Sequence, residues 1–362
     1  MSGYKLISAD SHVTIPPEAW VEYLDPQFRD QAPRVERTEE GDFQVFEGVR
    51  SPMGGFLANM AGKRPEDYTP TVRRLDEVRS GAWDPAERIK DQDIDGVIAE
   101  ILYFGGPLKQ AKDPAVRLNS YRGYNRWLAD FSSYAPNRLV GIAAIPFDSP
   151  EIAVAEVRAA AGLGLRGVLL DLFPPEGTFA DAEWGPLWQA LIDVDFPACL
   201  HVGGQRGSTL RPGPQFMAGL VVSKLQMAEA IAELIYGQVL ETYPELRVVS
   251  VEAQIGWISF VHYYMDHLFE KHRYWTGSTL RERPSYYFKR QVFATFMEDP
   301  VGLRERHHIG IDNIMWSNDY PHSETTWPNS KSLTDEWFTD YGDEDKAKIL
   351  WKNAARVHGI DV

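Results

Sequence analysis

Leu139-Val140-Gly141-Ile142-Ala143-Ala144-Ile145 is an unbroken run without a polar side chain. A strand with one wet face alternates apolar and polar residues. A continuous run is covered on both faces, as the strands of a parallel sheet are. Val168-Leu169-Leu170 reads the same way. Working outward from these two runs, eight short strands are expected: Lys5–Asp10, Gly96–Tyr103, Leu139–Phe147, Gly167–Leu172, Ala198–Val202, Val248–Ala253, Val292–Met297 and Ile314–Asp319. Helical patterns lie between them. Pro114 to Ser133 and Trp184 to Val194 carry apolar residues at helical spacing. Pro150 to Gly162 is Ala-rich, with Pro early and Gly last. Leu220 to Thr242 is expected as one long helix stopped by Pro244, Trp257 to His272 as another, and Asp343 to Gly359 as the last. Strands alternating with helices over this length predict an α/β fold, a distorted (β/α)8 barrel. A doubly wound sheet is the alternative, but no Gly-rich phosphate turn follows the first strand.

The 362 residues are read as one domain with two insertions. Arg34 to Thr71, rich in charge, Gly and Pro, breaks the alternation after strand one. Gly204 to Pro214 does so after strand five. Long loops in compact domains are commonly functional, and both are expected at the barrel mouth. The formal net charge of −15, from 52 acidic and 37 basic residues, argues against a nucleic-acid surface. A lone cysteine, Cys199, excludes an internal disulfide framework and is read as a small core residue. No apolar run approaches the ~20 residues of a membrane span. The chain is expected to be cytoplasmic, to act on a small molecule without a membrane partner, and to form a homodimer or higher homo-oligomer. The aromatic stretch from Tyr274-Trp275 to Tyr286-Tyr287-Phe288 is the candidate interface.

Three strands end in residues able to bind a cation. Asp10-Ser11-His12 places a carboxylate and an imidazole two residues apart, on one face of a strand. His201 ends strand five and Asp319 ends strand eight. The C-terminal ends of barrel strands share one mouth. Two imidazoles and two carboxylates suit one divalent metal, zinc first, with manganese or iron as alternatives. Singly each residue has a plainer reading. Asp10-Ser11-His12 fits a turn, His201 a hydrogen-bonded strand end, and Asp319-Tyr320-Pro321-His322 ordinary turn chemistry. Together they favour a metal centre.

The sequence resembles the amidohydrolase-2 branch of the amidohydrolase superfamily. Four pieces carry the likeness, in the family's order: Ile7-Ser8-Ala9-Asp10-Ser11-His12, Leu200-His201-Val202-Gly203-Gly204, Trp316-Ser317-Asn318-Asp319-Tyr320-Pro321-His322 and Lys352-Asn353-Ala354-Ala355-Arg356. The resemblance implies a distorted barrel holding one divalent metal through Asp10, His12, His201 and Asp319. The branch includes several decarboxylases. These resemble one another in carrying a catalytic histidine at the end of strand six, where this chain has Glu252.

That departure shifts the expected chemistry toward hydrolysis. A bound metal lowers the pKa of its water to about 7. Asp319 would be the general base, and His322 or Glu252 would serve the leaving group of a small cyclic or aromatic carboxyl-derived substrate. Non-oxidative decarboxylation is the alternative, dehydrative cyclisation the second, and a metal-free binding protein the reading from another class. Arg206 and Arg211 are candidates for a substrate carboxylate, because guanidinium forks suit such groups. Tyr103, Phe104 and Trp327 are candidate walls of an aromatic pocket. His307-His308 lies at the far end of strand eight and is read as surface. His262 and His267, five apart, share no helix face and are no metal pair.

Overall fold

The computed structural model describes residues 4–52, 57–104, 111–203 and 213–362. The strands in chain order are β1 (Ile7–Val13), β2 (Arg34–Arg37), β3 (Asp42–Phe46), β4 (Val49–Pro52), β5 (Ala99–Phe104), β6 (Leu139–Gly141), β7 (Ala143–Ala144), β8 (Val168–Leu170), β9 (Ala198–His201), β10 (Val248–Val251), β11 (Val292–Phe296) and β12 (Ile314–Trp316). Leaving aside β2–β4, neighbouring strands pair in parallel, in two sheets, β1-β5-β6 and β7-β8-β9-β10-β11-β12. The sheets meet at Ile142. There the expected third strand changes partner, with Ile142 N–H donating to Leu102 O and Ala143 N–H to Gly167 O. At the other seam Ser11 bridges Tyr320 in parallel, and His12 N–H donates to Tyr320 O at 2.6 Å. The strand order is that of an eight-stranded α/β barrel, distorted where β6 breaks from β7 and where β12 leaves the ladder early.

Side-chain alternation explains the continuous apolar runs. Ile7, Ala9, Ala99, Ile101, Tyr103, Val140, Ile142, Cys199, Val249, Val251, Phe293 and Met315 form one inner cluster. Their strand neighbours, such as Leu102, Leu139, Val168, Leu200, Val248 and Ile314, face the surrounding helices in a second, larger core. Both faces are dry. Ala354, Val357 and Ile360 from the chain's end join the inner cluster. Asn353 Nδ2 ties that segment to Ile311 O and Ile314 O, at 2.9 and 2.8 Å.

The helices start where local chemistry allows. Asp113 and Ser149 accept backbone N–H groups at the starts of Pro114–Ser133 and Pro150–Gly162, both with the expected bounds. Asp84 caps Pro85–Asp95, and Gly96 ends it at φ +75°. The expected helix from Leu220 to Thr242 is two pieces, Gln215–Tyr236 and Val239–Thr242. Gln238 at φ +68° breaks it, and Gly237 beside it leaves no room for a Cβ against Ala180. The last helix contains a wide turn at Lys348–Lys352.

The first insertion is more regular than expected. Strands β2, β3 and β4 form an antiparallel meander inside it. Its return leg reaches the loop after β12, where Met60 and Ala61 N–H both donate to Pro321 O. The expected aromatic interface divides. Tyr274 and Trp275 are exposed, whereas Tyr287 and Phe288 are fully buried because helix Pro284–Gln291 turns them into the core. No helix among the described residues is long and apolar enough to cross a membrane.

Candidate metal centre

The site gathers at the C-terminal ends of β1, β9, β10 and β12, but its residues enter by different routes. His201 continues the inward phase of Cys199, and Asp319 that of Met315. Asp10 and His12 are out of phase with Ile7 and Ala9. A bulge corrects this: Ser8 pairs with Glu100 but Ser11 with Leu102, so His12 lies opposite the inward-facing Tyr103. Glu252 is out of phase with Val251 and turns inward at φ +60°. Asp319 has φ +48°. Left-handed backbone at non-glycine residues costs on the order of 1–3 kcal/mol and persists only where surroundings enforce it. Here Asp319 N–H donates to Asp10 O at 3.0 Å, and Glu252 N–H to Thr295 Oγ1 at 2.9 Å.

The side chains converge. His12 Nε2 lies 3.4 Å from both Asp10 Oδ1 and Asp319 Oδ1. His201 Nε2 lies 3.6 Å from Asp10 Oδ1 and 3.5 Å from Glu252 Oε2. His322 Nδ1 lies 3.1 Å from Asp319 Oδ1, and its ring stacks on His12 at 3.8 Å between centroids. Asp10, His12 and Asp319 are 0–3% exposed, so this is a dry cluster of titratable groups.

Hydrogen-bond accounting tests whether these residues fit a cation. His201 Nδ1 is 2.7 Å from Val202 O, which can only accept, so Nδ1 carries the proton. The Nε2 lone pair then faces two carboxylate oxygens. Both oxygens of Asp10 and of Asp319, with His12 Nε2 and His201 Nε2, are buried without a hydrogen-bond partner among the described residues. Acceptors do not converge in a dry site unless something positive lies between them. Without a metal only protons serve. Burial pulls the His12 imidazolium down, but Asp10 and Asp319 outweigh it and raise its pKa to about 10. His201 is raised by Asp10 and Glu252 against the same burial. Asp10 is held far below the usual carboxylate range by the two imidazoles, against its burial. The donor set of imidazole nitrogens and carboxylate oxygens fits a divalent cation of the zinc, manganese or iron type.

A buried polar layer supports the cluster from behind. Asn318 Oδ1 accepts from Ser8 Oγ and Ser11 Oγ, both at 2.8 Å, and its Nδ2 donates to Asp95 and Glu100. The fully buried Arg88 donates to Glu100 Oε2 at 2.5 Å and to His12 O at 2.9 Å. Sequence reading missed Arg88, Glu100 and Asn318. It also missed Lys224, whose ammonium lies 3.6 Å from Glu252 Oε1. One signal was available: Lys224 is the only charged residue between Gln215 and Met227.

The remaining candidates are scattered. Tyr103 is buried, its ring 5.5 Å from that of His201, and its hydroxyl lies beside the Cys199 thiol. Phe104 points the opposite way and packs on Tyr124 at 4.4 Å, because strand neighbours face opposite sides. Trp327 is engaged behind the cluster: its indole N–H donates to Asp91 O at 3.0 Å and its ring abuts Tyr320 and Gly62. Arg206 and Arg211 lie outside the described residues. Cys199 is fully buried and its thiol is pushed up to about 12 by burial. His307 lies beside Asp345, away from the cluster.

Comparison with known proteins gives this geometry a context. A family model described as amidohydrolase matches residues 9–360. The chain is 27% identical over 330 residues to the γ-resorcylate decarboxylase of a Polaromonas species, covering 84% of this chain and 95% of that one. Among solved structures, an amidohydrolase from Mycobacterium avium subsp. paratuberculosis superposes with a TM-score of 0.80 at 18% identity, covering 99% and 100% of the two chains. The 5-carboxyvanillate decarboxylase of Novosphingobium aromaticivorans, solved with manganese and 3-methoxy-4-hydroxy-5-nitrobenzoic acid, superposes with a TM-score of 0.71 at 19% identity, covering 99% and 97%. Of the expected chemistries, these comparisons back the carboxy-lyase alternative better than hydrolysis, since relatives that span most of the chain are decarboxylases.

Proposed function

Because the chain belongs to the amidohydrolase family, we propose that it is a divalent-metal-dependent carboxy-lyase that removes CO2 from a small aromatic or muconate-type acid. The observation that carries this reading is the convergence of unpartnered acceptors from Asp10, His12, His201 and Asp319 in a dry pocket. These four residues would hold the cation. Manganese is favoured over the zinc expected from sequence, since it is the metal in the solved carboxyvanillate decarboxylase. Bound there, a divalent cation supplies a fixed positive charge that anchors the anionic oxygens of the substrate.

The protein's own residues do the rest. Tyr103, its ring 6.4 and 5.5 Å from those of His12 and His201, offers a flat wall to the site. The C–C bond to the carboxylate breaks, its electron pair stays on the ring carbon, and that carbon takes a proton. Burial and the charge of Asp319 raise the Glu252 carboxyl above its ordinary value, against Lys224 and the two nearby imidazoles. Glu252 is therefore the group suited to carry that proton, in the place where the decarboxylases have histidine. His322, held 3.1 Å from Asp319 Oδ1, resupplies it.

The test is a panel of hydroxybenzoates and muconate-type acids, offered to manganese-loaded protein in 18O-labelled water. Release of CO2, with no 18O in the decarboxylated product, is the expected result. Label incorporated at a cleaved C–N or C–C bond without CO2 would return the reading to hydrolysis.

A further inference from the structure

The first half of helix Gln215–Tyr236 is inverted with respect to ordinary folding. Its Val221, Val222 and Leu225 are 61%, 42% and 51% exposed, while the Lys224 side chain between them is only 16% exposed. Burying an ammonium while wetting aliphatic side chains opposes the hydrophobic effect. The lysine is turned against Glu252 and Glu324. Its Nζ lies 3.0 Å from Glu252 O and 3.6 Å from Glu252 Oε1, and Glu324 Oε2 accepts from it at 2.6 Å.

Glu252 needs such a restraint. Its Oε2 is 3.5 Å from His201 Nε2, no farther than Asp10 Oδ1 at 3.6 Å. Position alone does not separate it from the residues proposed to hold the cation. Its atoms can join a ligand group with Asp10, His12 and His201, or with His12, Asp319 and His322. A carboxylate drawn onto the metal is held in its charged form and becomes a poorer proton carrier.

We propose that Lys224 is a positioning residue that keeps Glu252 out of the cation's ligand shell. Four carboxylates, Asp10, Asp319, Glu252 and Glu324, then share two cations. The metal takes the first pair and Lys224 the second. Lys224 also clamps Glu252 O, fixing the left-handed residue by its backbone as well as its side chain.

The inference rests on the metal reading above, and manganese binding by the parent protein tests that reading separately. Binding is measured by titration, and bound Mn(II) by its relaxation of solvent protons. Lys224→Met is expected to bind Mn(II) at least about tenfold tighter, because added ligand charge strengthens such sites. Its bound Mn(II) should relax fewer solvent protons, since Glu252 takes a water's place. In a Glu252→Gln background the same lysine change should leave both readouts where they were. Lys224→Arg should behave as the parent. Lys224→Gln is measured alongside, so that a folding defect in one variant does not end the test. Equal tightening in both backgrounds would mean a through-space charge effect and would overturn the proposal, as would no tightening. A parent that binds no Mn(II) removes the metal reading itself.

Discussion

His12 sits between two carboxylates and stacks on the His322 ring, and its proton and a metal compete for one space. Its pKa of about 10 lies above the ordinary 6.5, so the proton stabilises the chelator-treated fold fully below pH 6.5 and is lost as pH rises toward 10. Chelator-treated protein should therefore lose thermal stability across that window. Manganese must displace the same proton, so its affinity should rise with pH over the same range; a flat affinity profile would show that His12 is not among the ligands. Substitutions should separate the roles within the site. His201→Ala removes one ligand and should lower metal affinity by at least about tenfold, read as metal per chain after dialysis. Glu252→Gln should retain the metal while losing most of the CO2 release, because it removes a proton carrier and not a ligand.

At the scale of elements, the site depends on how strands end. The bulge in β1 and the left-handed turn after β10 aim inward side chains that regular strands would point outward. Helix Pro85–Asp95 supports this through Arg88 and Asp95, which reach His12 O and Asn318. Asp84 starts that helix by accepting from Ala86 N–H and Glu87 N–H. Asp84→Ala should cost about 1 kcal/mol of stability, measured by denaturant unfolding. Asn318→Leu should cost more, because it leaves Ser8, Ser11, Asp95 and Glu100 buried with fewer partners. It should also weaken manganese binding although Asn318 supplies none of the proposed ligands.

For the whole molecule, the cation is expected to be part of the fold's stability. Strands from the beginning, middle and end of the chain meet at one cluster of negative charge. A ligand that binds only the folded state at about 100 times its Kd adds about 2.7 kcal/mol. Manganese in excess should thus raise the melting temperature clearly over the chelated sample. The effect should vanish in an Asp10→Asn, Asp319→Asn double variant. The barrel itself was legible in the sequence because burial on both faces leaves continuous apolar runs such as Leu139–Ile145. The residues proposed to hold the cation, Asp10, His12, His201 and Asp319, could be picked out because each lies at or just past the end of a predicted strand.

What the sequence determined by itself is therefore the periodicity, the helix caps, the order of strands and the identity of the residues at their ends. These depend on neighbours in the chain. The tertiary structure alone decided which end residues turn inward. A one-residue bulge or a left-handed φ reverses the facing of every side chain beyond it, and the contacts that enforce it come from residues up to 310 positions away, as between Ser8 and Asn318. The same holds for Lys224, an isolated charge in an apolar helix until Glu252 and Glu324 are brought to it. It holds too for Phe104 and Trp327, whose aromatic character is plain in the sequence but whose direction is set by Tyr124 and by Tyr320 with Asp91. Residue type is a local property; the space a side chain faces is a property of the closed fold.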